Sequence, residues 1–305
     1  MESCAVSVLV LSFNTRDLTL ACLGALAAES PKHAREILVL DNASTDGSAD
    51  AIAERFPGVR LVRGAENLGY AQGNNRLAAE ARGRYLCLLG SDTEPRAGAI
   101  DALVDYLDES PSYAAAAPRL ENPDGSLQKA CMRWPTLAVA LIYDMKWRRW
   151  PVLGRIDDRY YYRDFDHEHD RDVDQPPGTC FVVRRSVWEG FSGMDPQLWL
   201  YFNDVDFCKR TWEHGHRIRY LSGPRVTHHL GASTRTFGPA LERWAKDRIA
   251  YYHKHYGWVG RATIRVMLRL RAWQEWWDLG RRHADPKHRR DARADLKRTL
   301  RRVLS

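Results

Sequence analysis

The most constraining feature of this chain is a unit repeated through its first hundred residues. An apolar, β-rich run halts at a polar or acidic residue and gives way to helical periodicity. VSVLVLSF (Val6–Phe13) is almost continuously apolar, as a strand covered on both faces must be. A helix follows through DLTLACLGALAAE. EILVLD then ends at Asp41, turns through NASTDGS and starts a helix near Asp46. VRLVRG (Val59–Gly64) is a third strand, YAQGNNRLAAEARG leads into a third helix, and RYLCLLGSD is a fourth strand. Such units with short connections predict a parallel sheet with right-handed crossovers and flanking helices, an α/β fold. Ligands of such sheets gather at the carboxyl ends of the strands. Those ends are Ser12–Asn14, Asp41–Ser44, Gly64–Asn67 and Ser91–Glu94.

The pattern loosens after a boundary near Glu109–Ala114, which predicts units at 1–110, 111–257 and 258–305. YAAAAPRLENPDGSLQ reads as a strand and a hairpin around Asp124–Gly125. Arg155–Asp174 holds eight acids and no apolar period, the pattern of a mobile loop or lid. GTCFVVRRSVWEGF is strand then helix. NDVDFCKRTWEHGH is a helix capped by Asn203 and closed near Gly215. RIRYLSGPRVTHHLG gives two short strands, and ALERWAKDRIAYYHKHYG a helix. No run of about 18 apolar residues exists to span a membrane. The amino terminus reads as a first strand rather than a signal peptide. Six scattered cysteines without a C-x-x-C pair fit reduced thiols in the cytoplasm, not a disulfide or zinc framework.

Charge is uneven. Residues 258–305 carry 14 Lys/Arg against 5 Asp/Glu, whereas the preceding 257 residues carry 32 against 34. Val259, Ala262, Val266, Leu270, Trp273 and Trp277 recur at intervals of three and four, with Arg261, Arg265 and Arg269 on an adjacent face. This is the chemistry of an amphipathic helix in an anionic membrane interface, and equally of a helix packed on its own core. MKWRRW (Met145–Trp150) has a similar character and offers a second contact.

The strand-end motifs VSVLVLSFN, VLDNASTDGS, NLGYAQGNN, LLGSDTEP, GTCFVVRR, LYFNDVDFCKR and HHLGAS follow in an order that resembles family 2 glycosyltransferases of the GT-A fold, close to the rhamnosyltransferase-like branch. The resemblance runs from about Val6 to Gly257. It implies a Rossmann-like, mostly parallel sheet with a mixed acceptor-binding half. It also implies a nucleotide-sugar donor, a divalent cation (Mn²⁺ or Mg²⁺) and inversion at the anomeric carbon.

By the same resemblance, Asp41 meets the imide N–H of uracil or thymine, although an Asx-turn accounts for it equally well. Ser12, Asn14, Asn67, Gly69, Asn74 and Ser91 line the donor pocket. Asp92 is a metal ligand. Gly90 stands where the family often has Asp or Asn, so its D-x-D motif is reduced to GSD. One carboxylate suffices when phosphates complete the shell. His228, five residues before Ser233, is the second expected ligand, although a strand histidine is commonly structural. Inversion needs one base for the acceptor hydroxyl. Asp204 is the candidate, beneath an aromatic wall of Trp199 and Phe202, with helix capping as its other reading. Asn203 and Asp206 complete the acceptor side.

These expectations describe a hexosyltransferase of O-antigen or other cell-surface polysaccharide synthesis, peripheral on the inner face of the membrane. Its donor is dTDP-L-rhamnose or, as runner-up, a UDP-sugar, and its acceptor a saccharide or polyprenyl-diphosphate-linked saccharide. A homodimer is left open. A sugar-nucleotide pyrophosphorylase would need a glycine-rich basic loop that SFNTRD does not supply. A nucleic-acid or other anionic-polymer binder would explain the basic tail but not acids at consecutive strand ends.

Overall fold

The structure, a computed structural model, describes residues 4–143, 151–229, 240–282 and 285–304. The repeated units form as the sequence dictates. They are β1 (Val6–Ser12), α1 (Arg16–Ala27), β2 (Arg35–Asp41), α2 (Ser48–Arg55), β3 (Arg60–Arg63), α3 (Gly69–Glu80) and β4 (Tyr85–Gly90). β5 (Thr93–Pro95), α4 (Ala99–Glu109), β6 (Tyr113–Glu121) and the short β7 (Leu127–Gln128) follow. Next come α5 (Leu137–Tyr143), α6 (Pro151–Tyr160), β8 (Arg171–Asp172), β9 (Cys180–Arg184), α7 (Arg185–Gly190), α8 (Asn203–Glu213) and β10 (Arg217–His228). The sheet order is β3-β2-β1-β4-β9-β6-β10-β5, with β7 on β6 and β8 on β10.

Register explains where chemistry can gather. β1 pairs in parallel with β2 and β4, so Ser12 aligns with Asp41, and Leu11 with Gly90. β9 runs antiparallel between β4 and β6, which puts its first residue, Cys180, opposite Leu89. β10 runs parallel to β6 and thus in the sense of β4, so its last residue, His228, arrives at the same sheet edge. There β5 pairs antiparallel with it, Thr93 opposite His228. Beneath this edge lies the core. Val6, Val8, Leu9 and Val10 of β1 and Leu86, Cys87 and Leu88 of β4 are all fully buried. Burying such side chains contributes roughly 1.5–3 kcal/mol each.

Several expectations change. The sheet runs through the expected boundary at 110, because β6, β9 and β10 extend the strands before it. The two compact units are instead discontinuous in sequence. One is Met1–Trp134, Phe165–Trp199 and Asn203–Phe237; the other is Pro135–Asp164, Leu200–Phe202 and Gly238–Ser305. RIRYLSGPRVTH is one strand of 12 residues with a register shift between Leu221 and Arg225, not two strands. Arg155–Asp174 is not a loop throughout, since α6 runs to Tyr160. Phe165, His167 and Val173 are buried, and β8 pairs with β10. Its acids are not simply solvated. Glu168 pairs with Arg119 at 2.7 Å, Asp172 with Arg219 at 2.9 Å, and Asp170 accepts from Ser222 N–H at 2.8 Å.

In the second unit, a helix spans Ala240–Arg282 and breaks at Gly257, whose φ of 61° and ψ of −151° are non-helical. Arg248, 2% exposed, anchors it by stacking on Trp244 at 4.9 Å and donating to the Ala140 carbonyl at 3.1 Å. Asp247 accepts the N–H groups of Leu200 and Tyr201 at 2.9 Å each. A terminal helix, Pro286–Leu304, folds back on it. The tail's apolar stripe faces outward. Val266 is 51% exposed, Trp273 62% and Trp277 51%, while Ile264 and Met267 supply the buried face. The MKWRRW segment lies outside the described residues.

Candidate active site

Asp41 closes β2 with its side chain turned into the sheet edge, 4% exposed. Its Oδ2 accepts the Ser44 N–H at 3.1 Å, which is the Asx-turn. Its Oδ1 is buried with no hydrogen-bond partner. Both readings therefore hold at once, one per oxygen. An orphaned buried acceptor costs roughly 1–3 kcal/mol, and a ligand N–H at that oxygen would recover it. The surrounding loops are laced to one another. Asn14 receives the Thr45 N–H at 2.8 Å. Asn67 receives Asn42 Nδ2 at 2.8 Å, and Asn42 in turn receives the Leu68 N–H at 2.8 Å. Asn42, 1% exposed, was not singled out from sequence, where Asp41 masks it as one more turn residue.

Asp92 and His228 are brought together by β4, β5 and β10. The pairing of Thr93 with His228 brings His228 Nε2 to 3.8 Å from Asp92 Oδ1, and both side chains are about nine-tenths buried. The ring's tautomer follows from its neighbour. Gln128 Nε2 donates to the carbonyl of His228 at 2.9 Å and to Asn122 Oδ1 at 2.7 Å, which fixes its amide. Gln128 Oε1 then faces His228 Nδ1 at 2.8 Å and can only accept, so Nδ1 carries the proton. Nε2 is left as a lone pair aimed toward a carboxylate. Burial pushes the imidazole below its ordinary pKa, against the pull of Asp92, which keeps it neutral. Two electron-rich atoms held at this separation fit a shared divalent cation, with Gln128 as the outer group that orients the ligand. His229 turns away and meets Glu94 at 2.7 Å. Among the described residues no cluster of three or more His, Cys, Asp or Glu forms a metal cage. His167, in the acidic segment, is buried against Phe165 instead.

Gly90 makes room for the Asp92 carboxylate. A Cβ at that position would lie 2.9 Å from Asp92 Oδ1, so the carboxylate occupies the space a side chain would take. Asp204 stands at the start of α8. Its Oδ2 accepts the Gly178 N–H at 3.0 Å and its Oδ1 the Val205 N–H at 2.8 Å. Burial raises its pKa, and these backbone donors oppose that shift. Gly178 is itself clasped by Tyr70, whose hydroxyl donates to the Gly178 carbonyl at 2.6 Å. Thr179, next in sequence, accepts the Gly90 N–H at 2.8 Å, joining this loop to the cation motif. Trp199 covers Gly69, and its carbonyl accepts the Tyr70 N–H at 2.7 Å.

Other expected ligand-facing residues turn inward. Ser12 is fully buried and bonds Thr19 Oγ1 at 2.9 Å, while Ser91 bonds Thr15 at 3.1 Å in the same hydroxyl cluster. Asn74 donates to the Tyr70 carbonyl at 2.9 Å inside α3. Asn203 is 2% exposed and donates to the Leu198 carbonyl at 3.2 Å. Asp206 is fully buried and pairs with Arg210 at 2.9 Å. These groups are bonded within the protein's own frame. Phe202 belongs to the second unit, where it packs on Tyr251 with ring centroids 5.3 Å apart.

Comparison with known proteins gives the family and the fold. N-acetylglucosaminyl-diphospho-decaprenol L-rhamnosyltransferase of Mycobacterium tuberculosis is 32% identical over 258 residues, 80% of this chain and 82% of that protein. Among solved structures, GalNAc-T7 with UDP, GalNAc and Mn²⁺ aligns with a TM-score of 0.58 at 15% identity, over 80% of this chain and 48% of that one. The mannosyltransferase PcManGT of Pyrobaculum calidifontis, with GDP-Man and Mn²⁺, aligns with a TM-score of 0.54 at 17% identity, over 98% and 85%. These likenesses show the GT-A fold. Residues 7–191 match the description of glycosyl transferase family 2, and with the mycobacterial relative this shows that the chain is a glycosyltransferase belonging to that family.

Proposed function

We propose that this enzyme transfers L-rhamnose from dTDP-L-rhamnose, with inversion, to a saccharide carried on a polyprenyl diphosphate. The observation that carries this reading is the convergence of Asp92 and the unprotonated Nε2 of His228 on the edge that also bears the orphan Oδ1 of Asp41. Asp41 would accept the imide N–H of the base. Asp92 and His228 would hold Mn²⁺ or Mg²⁺, which when bound supplies charge neutralisation to a departing diphosphate. Asp204 would take the proton of the acceptor hydroxyl as its oxygen bonds to the anomeric carbon and the bond to the diphosphate breaks. Thymine and uracil present the same imide donor, so a UDP-sugar is the second reading. GalNAc-T7, solved with UDP, shares the fold. Rhamnose and the lipid-linked acceptor follow the name of the mycobacterial relative.

The exposed Val266–Trp277 stripe supports a peripheral position on an anionic membrane, where such an acceptor resides. Among the described residues no helix is long and apolar enough to cross a membrane. The test is a panel of dTDP- and UDP-sugars with a short-chain prenyl-diphosphate-linked GlcNAc acceptor, read by mass and by the anomeric configuration of the product. Rhamnose transfer that EDTA stops and Mn²⁺ or Mg²⁺ restores is expected. Neither transfer nor metal-dependent nucleotide binding across the panel would sink the reading.

A further inference from the structure

The two tail helices enclose a groove of about 460 Å³ whose construction pairs apolar walls with cations. Trp273 and Trp276 line it from one helix, and Leu296 and Leu300 from the other. Arg269, Arg293 and Lys297 line it as well, and no acid does. Among the described residues none of the three cations has a carboxylate within ion-pair distance, although Arg298 pairs with Asp295 nearby. Arg293 is held in place. Its guanidinium lies over the Trp276 ring at 3.6 Å, and its Nε donates to the Trp276 carbonyl at 3.1 Å. Gly280 makes the room, since a Cβ there would come within 2.6 Å of Arg293 Nη2. Trp273 belongs both to this groove and to the exposed apolar stripe, so the groove opens beside the surface that would meet lipid.

A merely solvated cationic face would not surround an apolar slot, and a site for free anions would not need tryptophan and leucine walls. From these features we infer that the groove binds one anionic phospholipid. Its phosphate sits among Arg269, Arg293 and Lys297, and its first acyl methylenes lie between the Trp276 ring and Leu296–Leu300. The inference deepens the membrane-facing reading of the tail by giving that surface a discrete, saturable site. Guanidinium and ammonium groups recognise phosphate by charge-assisted hydrogen bonds, strengthened where water is partly excluded.

The test uses the full-length protein and dihexanoyl phosphatidylglycerol below its micelle concentration, titrated by calorimetry. Saturable binding near one lipid per chain is expected. Dihexanoyl phosphatidylcholine and inorganic phosphate should each bind at least tenfold more weakly, one lacking net charge and the other the chains. The double variant Arg269→Glu/Lys297→Glu changes two exposed side chains, so its melting temperature should hold while affinity falls tenfold or more. Non-saturable binding, equal affinity for inorganic phosphate, or an unaffected double variant would overturn the site. Flotation with phosphatidylglycerol vesicles separates the two levels. Flotation without saturable short-chain binding removes the groove and leaves the membrane-facing tail. Saturable binding without flotation keeps the groove and removes the tail as an anchor.

Discussion

At the scale of single residues, the roles proposed for Asp204, Asp41 and His228 can be tested by substitution. Asp204→Asn should lower transfer by about 10²–10⁴-fold while sparing nucleotide binding; an unchanged rate would remove Asp204 as the base. The base must be ionised to act, so the rate falls as pH drops through its pKa. Burial moves that fall upward from the ordinary 3.8, and an acid limb at or below 3.8 would contradict the environment described. Asp41→Asn should weaken nucleotide binding by roughly tenfold or more, the equivalent of one hydrogen bond to a buried acceptor. Gln128→Ala frees the His228 ring and should cost about 10–100-fold in metal affinity. The places of Asp41, Asp92, His228 and Asp204 were legible because each lies at or beside the end of an element whose type the sequence declares. Gln128 was not, because its role exists only once β7, β6 and β10 lie side by side. Ser12, Asn74, Asn203 and Asp206 read as ligand-facing for a related reason. A polar residue at an element's end looks the same in sequence whether it faces a substrate or a buried carbonyl.

At the scale of elements, glycines separate what the site demands from what a helix merely tolerates. Gly69 starts α3 with a φ of +73°, and a Cβ there would meet the Trp199 ring at 2.4 Å. Gly69→Ala should therefore cost about 2 kcal/mol or more, combining left-handed strain with a clash. Gly24 lies inside α1 with open space around its Cβ position. Gly24→Ala should instead stabilise by about 0.5–1 kcal/mol. Thermal melts of the two variants shifting in the same direction would contradict this assignment. The central strands β1 and β4 were readable because each is covered on both faces and so nearly uniform in apolar character. The acidic segment before β9 was misread because charge alone does not tell a solvated loop from one stapled to partly buried arginines such as Arg119 and Arg219.

At the scale of the molecule, the chain combines a sheet edge that gathers Asp41, Asp92 and His228 with a basic, aromatic helical tail. Val266→Glu/Trp273→Glu should release the protein from anionic vesicles with little change in melting temperature, since both side chains are more than half exposed. Equal vesicle binding would remove the stripe as a membrane contact. The stripe was legible from its spacing, but which way it faced was not, because periodicity gives a face without giving its partner. The two compact units both draw on distant stretches of chain, a grouping that a linear reading of the sequence does not give. Everything proposed for the active site depends on Asp92 and His228 forming half a cation site that the donor's phosphates complete. Calorimetric titration of Mn²⁺ with and without dTDP tests this directly. Weak binding alone, at least tenfold tighter with dTDP and lost in both Asp92→Asn and His228→Ala, is the expected result. Equal affinity with and without nucleotide, or affinity unchanged in either variant, would contradict it.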